Sequence, residues 1–173
     1  MDIISSHTTE DDHICFHNYL VIFLDILGQR SRLRRIKTLP TEGDSTEFIK
    51  KLKETFGKVD ALRMSFRNFF EGADLYVPAV TGVPAEAQED CLACLKSEAY
   101  YYGFSDSMII AVPLANNDDN CTAVNGVFRA FTATCGISLL ALSGKIPLRG
   151  GLDVGIAAQI NDNEIYGPAL ERA

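Results

Sequence analysis

Two aspartates in this chain close apolar runs, and their positions point to metal chemistry. In YLVIFLDILGQR, residues 19 to 30, the stretch from Leu20 to Leu24 is continuously apolar and runs into Asp25. Such a run reads as a strand buried on both faces, at the centre of a sheet covered by helices. An acid at its end is costly unless something cationic neutralises it. In YYYGFSDSMII, residues 100 to 110, Asp106 lies between Ser105 and Ser107, with aromatic residues before it and Met108, Ile109 and Ile110 after it. That pattern predicts a tight β-hairpin carrying Asp106 at or near its tip. Most acids between two strand-like runs are turn residues bonded to their own backbone. Two acids that each end a strand also suit a shared divalent cation, which takes carboxylate oxygens as ligands.

The elements that must position these acids follow from spacing. Asp44 and Glu47 form an N-terminal capping pair, and Phe48, Ile49, Leu52, Phe56, Val59, Leu62, Phe66, Phe69 and Phe70 then recur at three- and four-residue steps. The spacing predicts one long amphipathic helix, weakened or bent near Gly57. Residues 71 to 98, with Gly72, Pro78, Gly82 and Pro84, read as an irregular excursion. A second helix is expected from the NNDDN at 116 to 120 through Val124, Val127, Phe128, Phe131, Ile137 and Leu140 to a stop at Gly144. LRGGLDVGIAAQI, residues 148 to 160, reads as a strand whose Gly150, Gly151 and Gly155 admit the close approach of another backbone or a ligand.

At 173 residues with 47% hydrophobic content, the chain is long enough for one domain with a sizeable core. Its net charge of −7 argues against a nucleic-acid backbone or an anionic membrane as the main partner. No apolar run is expected to reach the length of a membrane span, and the acidic start MDIISSHTTEDDH lacks the sections of a signal peptide. A cytoplasmic location and reduced cysteines follow as expectations. Cys91 and Cys94 form a CxxC, but Cys15, Cys121 and Cys135 are scattered and His7, His13 and His17 all lie near the N-terminus. No second ligand pair stands at zinc-motif spacing, so the CxxC reads as one side of a short helix.

FLDILGQRSRL, FSDSMII, LRGGLDVG and IYGPAL, in that order, resemble the class III nucleotide cyclase catalytic domain, and the details look most like the bacterial pyrimidine cyclases of the Pycsar antiphage system. The resemblance covers roughly residues 19 to 173 and leaves residues 1 to 18 as an N-terminal segment. It implies an α/β (α+β) fold, a ferredoxin-like sheet flanked by helices, with the domain incomplete at its C-terminus. It also implies a cyclase that turns UTP, or CTP, into the 3′,5′-cyclic nucleotide and pyrophosphate, a second messenger read by a downstream effector. Asp25 and Asp106 would hold two Mg²⁺ or Mn²⁺ ions, with the Ile26 carbonyl as a further ligand. The turn formed by Ile26, Leu27, Gly28, Gln29 and Arg30 would bind the triphosphate. Active sites would lie at the interface of a homodimer.

The departures from the family bear on the base. Tyr102 stands where purine cyclases carry a base-reading lysine, and Glu164 where they carry an aspartate. Losing the lysine removes the donor that would address adenine, which favours a pyrimidine. The transition-state asparagine of the family aligns with Glu171, and its arginine would fall past residue 173, leaving Arg172 as a candidate substitute. A purine cyclase, and a cyclase-like dimerisation or regulatory module without catalysis, are the alternative readings.

Overall fold

The structure, a computed structural model, describes residues 16–29, 31, 34, 37, 40, 45–72, 82–89, 97–114, 124–161 and 163–173. The capping residue Asp44, the NNDDN segment, Cys91 and Cys94 lie outside the described residues. So does most of the N-terminal segment, although its last three residues, Phe16 to Asn18, belong to the first strand. The elements run β1 (Phe16–Ile26), α1 (Ser45–Gly72), β2 (Tyr100–Phe104), β3 (Ser107–Pro113), α2 (Val124–Ser143), β4 (Leu148–Asn161), β5 (Glu164–Tyr166) and α3 (Pro168–Arg172).

The five strands form one antiparallel sheet in the order β2-β3-β1-β4-β5. The fold is therefore α+β. β1, α1 and β2 make a split β-α-β unit, with β3 inserted between the two parallel strands. β1 is central, as its apolarity predicts, and it separates two cores. Leu20, Ile22, Leu24 and Ile26 face α1 and α2, together with Met108, Ile110 and Val112 of β3. Tyr19 and Val21 face the other way, in a cluster with Tyr102, Ala111, Ala157, Ile165 and Ala169. A strand walled on both sides is held in register, because a one-residue slip would exchange the two cores.

The helices bury only part of the apolar sets that the spacing predicts. α1 runs unbroken through Gly57, and its buried ridge is Val59, Leu62, Phe66 and Phe70, while Ile49, Leu52 and Phe56 stay exposed. In α2 the buried ridge is Ala130, Ala133, Ile137 and Ala141, whereas Val124, Phe128, Phe131 and Leu140 are exposed. Small residues let α2 approach α1 closely: a Cβ added at Gly136 would sit 3.0 Å from the Phe69 ring. Phenylalanine on that ridge would hold the helices apart. Contrary to the expectation, α2 is long and apolar enough to cross a membrane by length and composition, the one such helix among the described residues, and here its alanine ridge packs into the core.

Each glycine of β4 singled out in the sequence does face a close neighbour. Gly151 abuts the Ala173 backbone, and Gly155 abuts Arg172 and Ala169, so α3 packs down against the strand. A Cβ at Gly150 would overlap the Phe23 carbonyl and the Leu24 side chain of β1.

At the β2 edge, Tyr101 packs edge-on against Phe66 and Phe70, with ring centroids 6.3 and 6.5 Å away, and the Arg67 guanidinium lies 4.5 Å above its ring. Burial, reinforced by Glu71 and opposed by Arg67, pushes the Tyr101 phenol up to about 12. The unfolded chain ionises this group near pH 10. The neutral phenol is thus retained only by the folded state between those values, and stability falls as pH rises from about 10 to 12. Urea midpoints of Tyr101→Phe should fall less between pH 9 and pH 11 than those of the parent; parallel declines would assign the alkaline loss to other groups.

Candidate functional site

Asp25 and Asp106 are brought to one cleft. β1 and β3 pair Asp25 with Ser107, so the last residues of the central strand lie beside the hairpin turn at Ser105 and Asp106. The Ile26 N–H donates to the Asp106 carbonyl at 3.2 Å, tying the turn to the strand end. The cleft is lined by Asp25, Ile26, Leu27 and Gly28 from one segment, by Ser105 and Asp106 from the other, and by Arg149 of β4. Gly28 has φ near +85°, a conformation that glycine adopts without strain, and the Ser31 hydroxyl donates to its carbonyl at 2.9 Å.

The cation that Asp25 requires is Arg149. β4 pairs Arg149 directly opposite Asp25, and its Nε donates to Asp25 Oδ2 at 2.7 Å. The pair is lopsided: the Asp25 side chain is 11% exposed and that of Arg149 is 67% exposed. Asp25 is therefore fixed by the fold, while its partner reaches in from solvent. Removing Arg149 leaves a nearly buried carboxylate unmatched. Arg149→Met should cost about 1–2 kcal/mol by chemical denaturation, discounted for the exposed guanidinium. Adding Asp25→Asn should recover much of that loss, and additive single and double variants would show the pair to be energetically idle.

The proposed phosphate turn is partly occupied by the fold itself. The N–H groups of Ile26 and Leu27 already donate, to the Asp106 carbonyl and to the Pro147 carbonyl at 2.9 Å. Gly28 and Gln29 follow in the turn that opens into a helix at Gln29, and Arg30 lies outside the described residues. Gln29 is buried, and its Oε1 has no partner among the described residues, an orphan acceptor of the kind a bound ligand satisfies.

The remaining candidates lie apart from the cleft. Tyr102 is on the Asp25 side of the sheet, since it pairs with Ile109 and Ile109 pairs with Phe23, but it is buried in the second core cluster. Glu164 is exposed where β5 begins, opposite Asn161. Asn161 follows Arg149 by 12 residues along β4, so strand rise separates them by roughly 40 Å. Arg172 is held by Asp153, Nε to Oδ2 at 2.6 Å, on β4. None of the three meets Asp25 or Asp106 within one chain.

Two functional candidates escaped the sequence reading. Arg149 had a signal, since an acid closing a buried strand calls for a cation. Arg63 had none: it lies on α1 beside the buried Leu62, and only the packing of α1 carries it to the hairpin.

The chain matches no protein-family model and no curated protein. The site must be judged on its chemistry. Among the described residues no group of three or more His, Cys, Asp or Glu side chains converges as a metal cage. Mg²⁺ and Mn²⁺ do not require one. Mg²⁺ commonly binds through one or two carboxylates, water and substrate phosphates. Asp25 and Asp106 on one cleft fit that donor set.

Proposed function

We propose that this chain is a class III type nucleotide cyclase domain that converts a pyrimidine nucleoside triphosphate, UTP ahead of CTP, into its 3′,5′-cyclic monophosphate and pyrophosphate. The observation that carries the reading is the common cleft of Asp25 and Asp106, joined by the Ile26 to Asp106 backbone bond. The split β-α-β arrangement and the strand order support a ferredoxin-like, cyclase-type sheet.

In the reaction, the ribose 3′-oxygen forms a bond to the α-phosphorus, the bond from that phosphorus to the bridging oxygen breaks, and the hydroxyl proton leaves. Bound Mg²⁺ or Mn²⁺ would lower the pKa of the 3′-hydroxyl and neutralise charge on the triphosphate. Asp25 and Asp106 would hold those ions, with the Ile26 carbonyl beside them. The amides of Gly28 and Gln29 would donate to phosphate oxygens. Arg149, long and exposed, can exchange Asp25 for a phosphate oxygen once that carboxylate has another cation.

On this reading the active site is shared between two chains of a homodimer, and Glu164, far along β4 from Arg149, would act on the cleft of the other copy. Tyr102 is buried in the second core, so Glu164 is the better candidate for reading the base. A second reading is favoured by the Arg149–Asp25 ion pair: a non-catalytic module in which Asp25 is a structural acid already neutralised.

Incubating the protein with Mn²⁺ and ATP, GTP, CTP or UTP separately, with products identified by mass, separates these readings. Cyclic UMP as the main product is expected. Cyclic CMP would keep the mechanism and change the base, cyclic AMP or GMP would overturn the pyrimidine assignment, and no cyclic product with any of the four would favour the non-catalytic module.

A further inference from the structure

The hairpin turn is held at every carbonyl. The Phe104 carbonyl accepts from the Ser107 hydroxyl at 2.6 Å, and the Asp106 carbonyl accepts from the Ile26 N–H. The Ser105 and Ser107 carbonyls, on either side of Asp106, both accept from one atom, Arg63 Nη2 of α1, at 3.1 and 2.6 Å. Gly103 leaves room for this guanidinium, since a Cβ there would sit 2.8 Å from Arg63 Cζ. Ser105 is strained, with φ near +53°, a region that costs a non-glycine residue about 1 kcal/mol or more. Arg63 Nε is buried without a partner among the described residues, itself unfavourable. A turn with a strained residue, braced by an imperfectly satisfied arginine, is a poor solution for stability alone and a good one for holding a carboxylate still.

We propose that Arg63 is a positioning residue that locks the Ser105–Ser107 turn so that the Asp106 carboxylate stays directed at the divalent-cation site it shares with Asp25. The proposal rests on the two-carboxylate reading of the cleft. Bracing from α1 on one side and from β1 on the other leaves the Asp106 side chain as the one acidic group of the turn that lines the cleft. Losing the Arg63 bonds frees the turn to relax Ser105 and swing Asp106 away, so cation affinity falls although both acids remain.

The test is Mn²⁺ binding to the full chain without nucleotide, read from the electron paramagnetic resonance signal of free Mn²⁺. Arg63→Met should weaken binding about tenfold or more, the usual cost of losing a residue that orients a metal ligand. Arg63→Lys, able to reach one carbonyl, should recover part of the loss. Gly103→Ala keeps Arg63 but displaces its guanidinium, and should weaken binding in the same direction even if Arg63→Met folds poorly. Arg67→Met, one turn further along α1, controls for damage to the helix and should leave Mn²⁺ binding unchanged. Unaltered affinity in Arg63→Met or Gly103→Ala while Asp106→Asn binds weakly would overturn the role of Arg63 and leave the site intact. An equal loss in Arg67→Met would reduce Arg63 to a structural residue. Unaltered affinity in Asp106→Asn would remove the two-carboxylate site and this proposal with it.

Discussion

On the proposed cyclase reading, Asp25→Asn, and separately Asp106→Asn, should lower cyclisation of the preferred triphosphate by about 10²–10³-fold or more, because each would remove a charge that holds the catalytic cations. The two variants should nonetheless differ in stability. Asp106 faces the cleft from a turn whose carbonyls are already satisfied, so amidation there should leave the unfolding midpoint nearly unchanged. Asp25 is almost buried and bonded to Arg149, so its amide loses a charge-assisted bond but also relieves a carboxylate of its desolvation. A change within about 1 kcal/mol is expected. Substantial turnover by either variant at saturating Mn²⁺ would remove that acid from the reaction. Matching losses of activity and of folded protein would mean that the acids serve the fold.

Gly150→Ala should be the most damaging small substitution in the described sheet. Its Cβ would overlap the Phe23 carbonyl and the Leu24 side chain of β1, so the obstacle is mainly backbone and cannot turn aside. Relief requires β1 and β4 to separate, next to the Asp25–Arg149 and Ile26–Leu148 pairs. The expected cost is about 3 kcal/mol or more in urea or guanidinium unfolding. Gly57→Ala is the matching control, since nothing lies within 4 Å of a Cβ there and the helix is continuous. It should stabilise by about 0.5–1 kcal/mol. A Gly150→Ala protein as stable as its parent would mean that the two strands are not so closely pressed.

The order of elements was legible in the residues because it depends on local signals. The Leu20–Leu24 run became the central strand, the aromatic and aliphatic halves of residues 100 to 110 became β2 and β3 around Asp106, and the glycines of β4 met the close neighbours they imply. The buried ridge of α1 from Val59 to Phe70 was legible in the spacing, whereas that of α2 was legible only at Ile137, for a physical reason. Periodicity marks which residues share a side but not which side meets the core, and α2 carries an alanine ridge and a phenylalanine-rich face side by side. Close approach to α1 selected the small side.

At the candidate site, the chain alone determined that two carboxylates would end strands and that the first would need a cation, since burying an unmatched charge is prohibitive whatever the fold. Only the tertiary structure decided which cation stands there and what braces the second acid. Arg149 reaches Asp25 because antiparallel register sets them opposite each other although they lie 124 residues apart in sequence, and Arg63 reaches the hairpin because α1 packs over it. Pairing register and helix docking are settled by the sum of many contacts distant in sequence, and no local pattern around Arg63 or Arg149 records that sum.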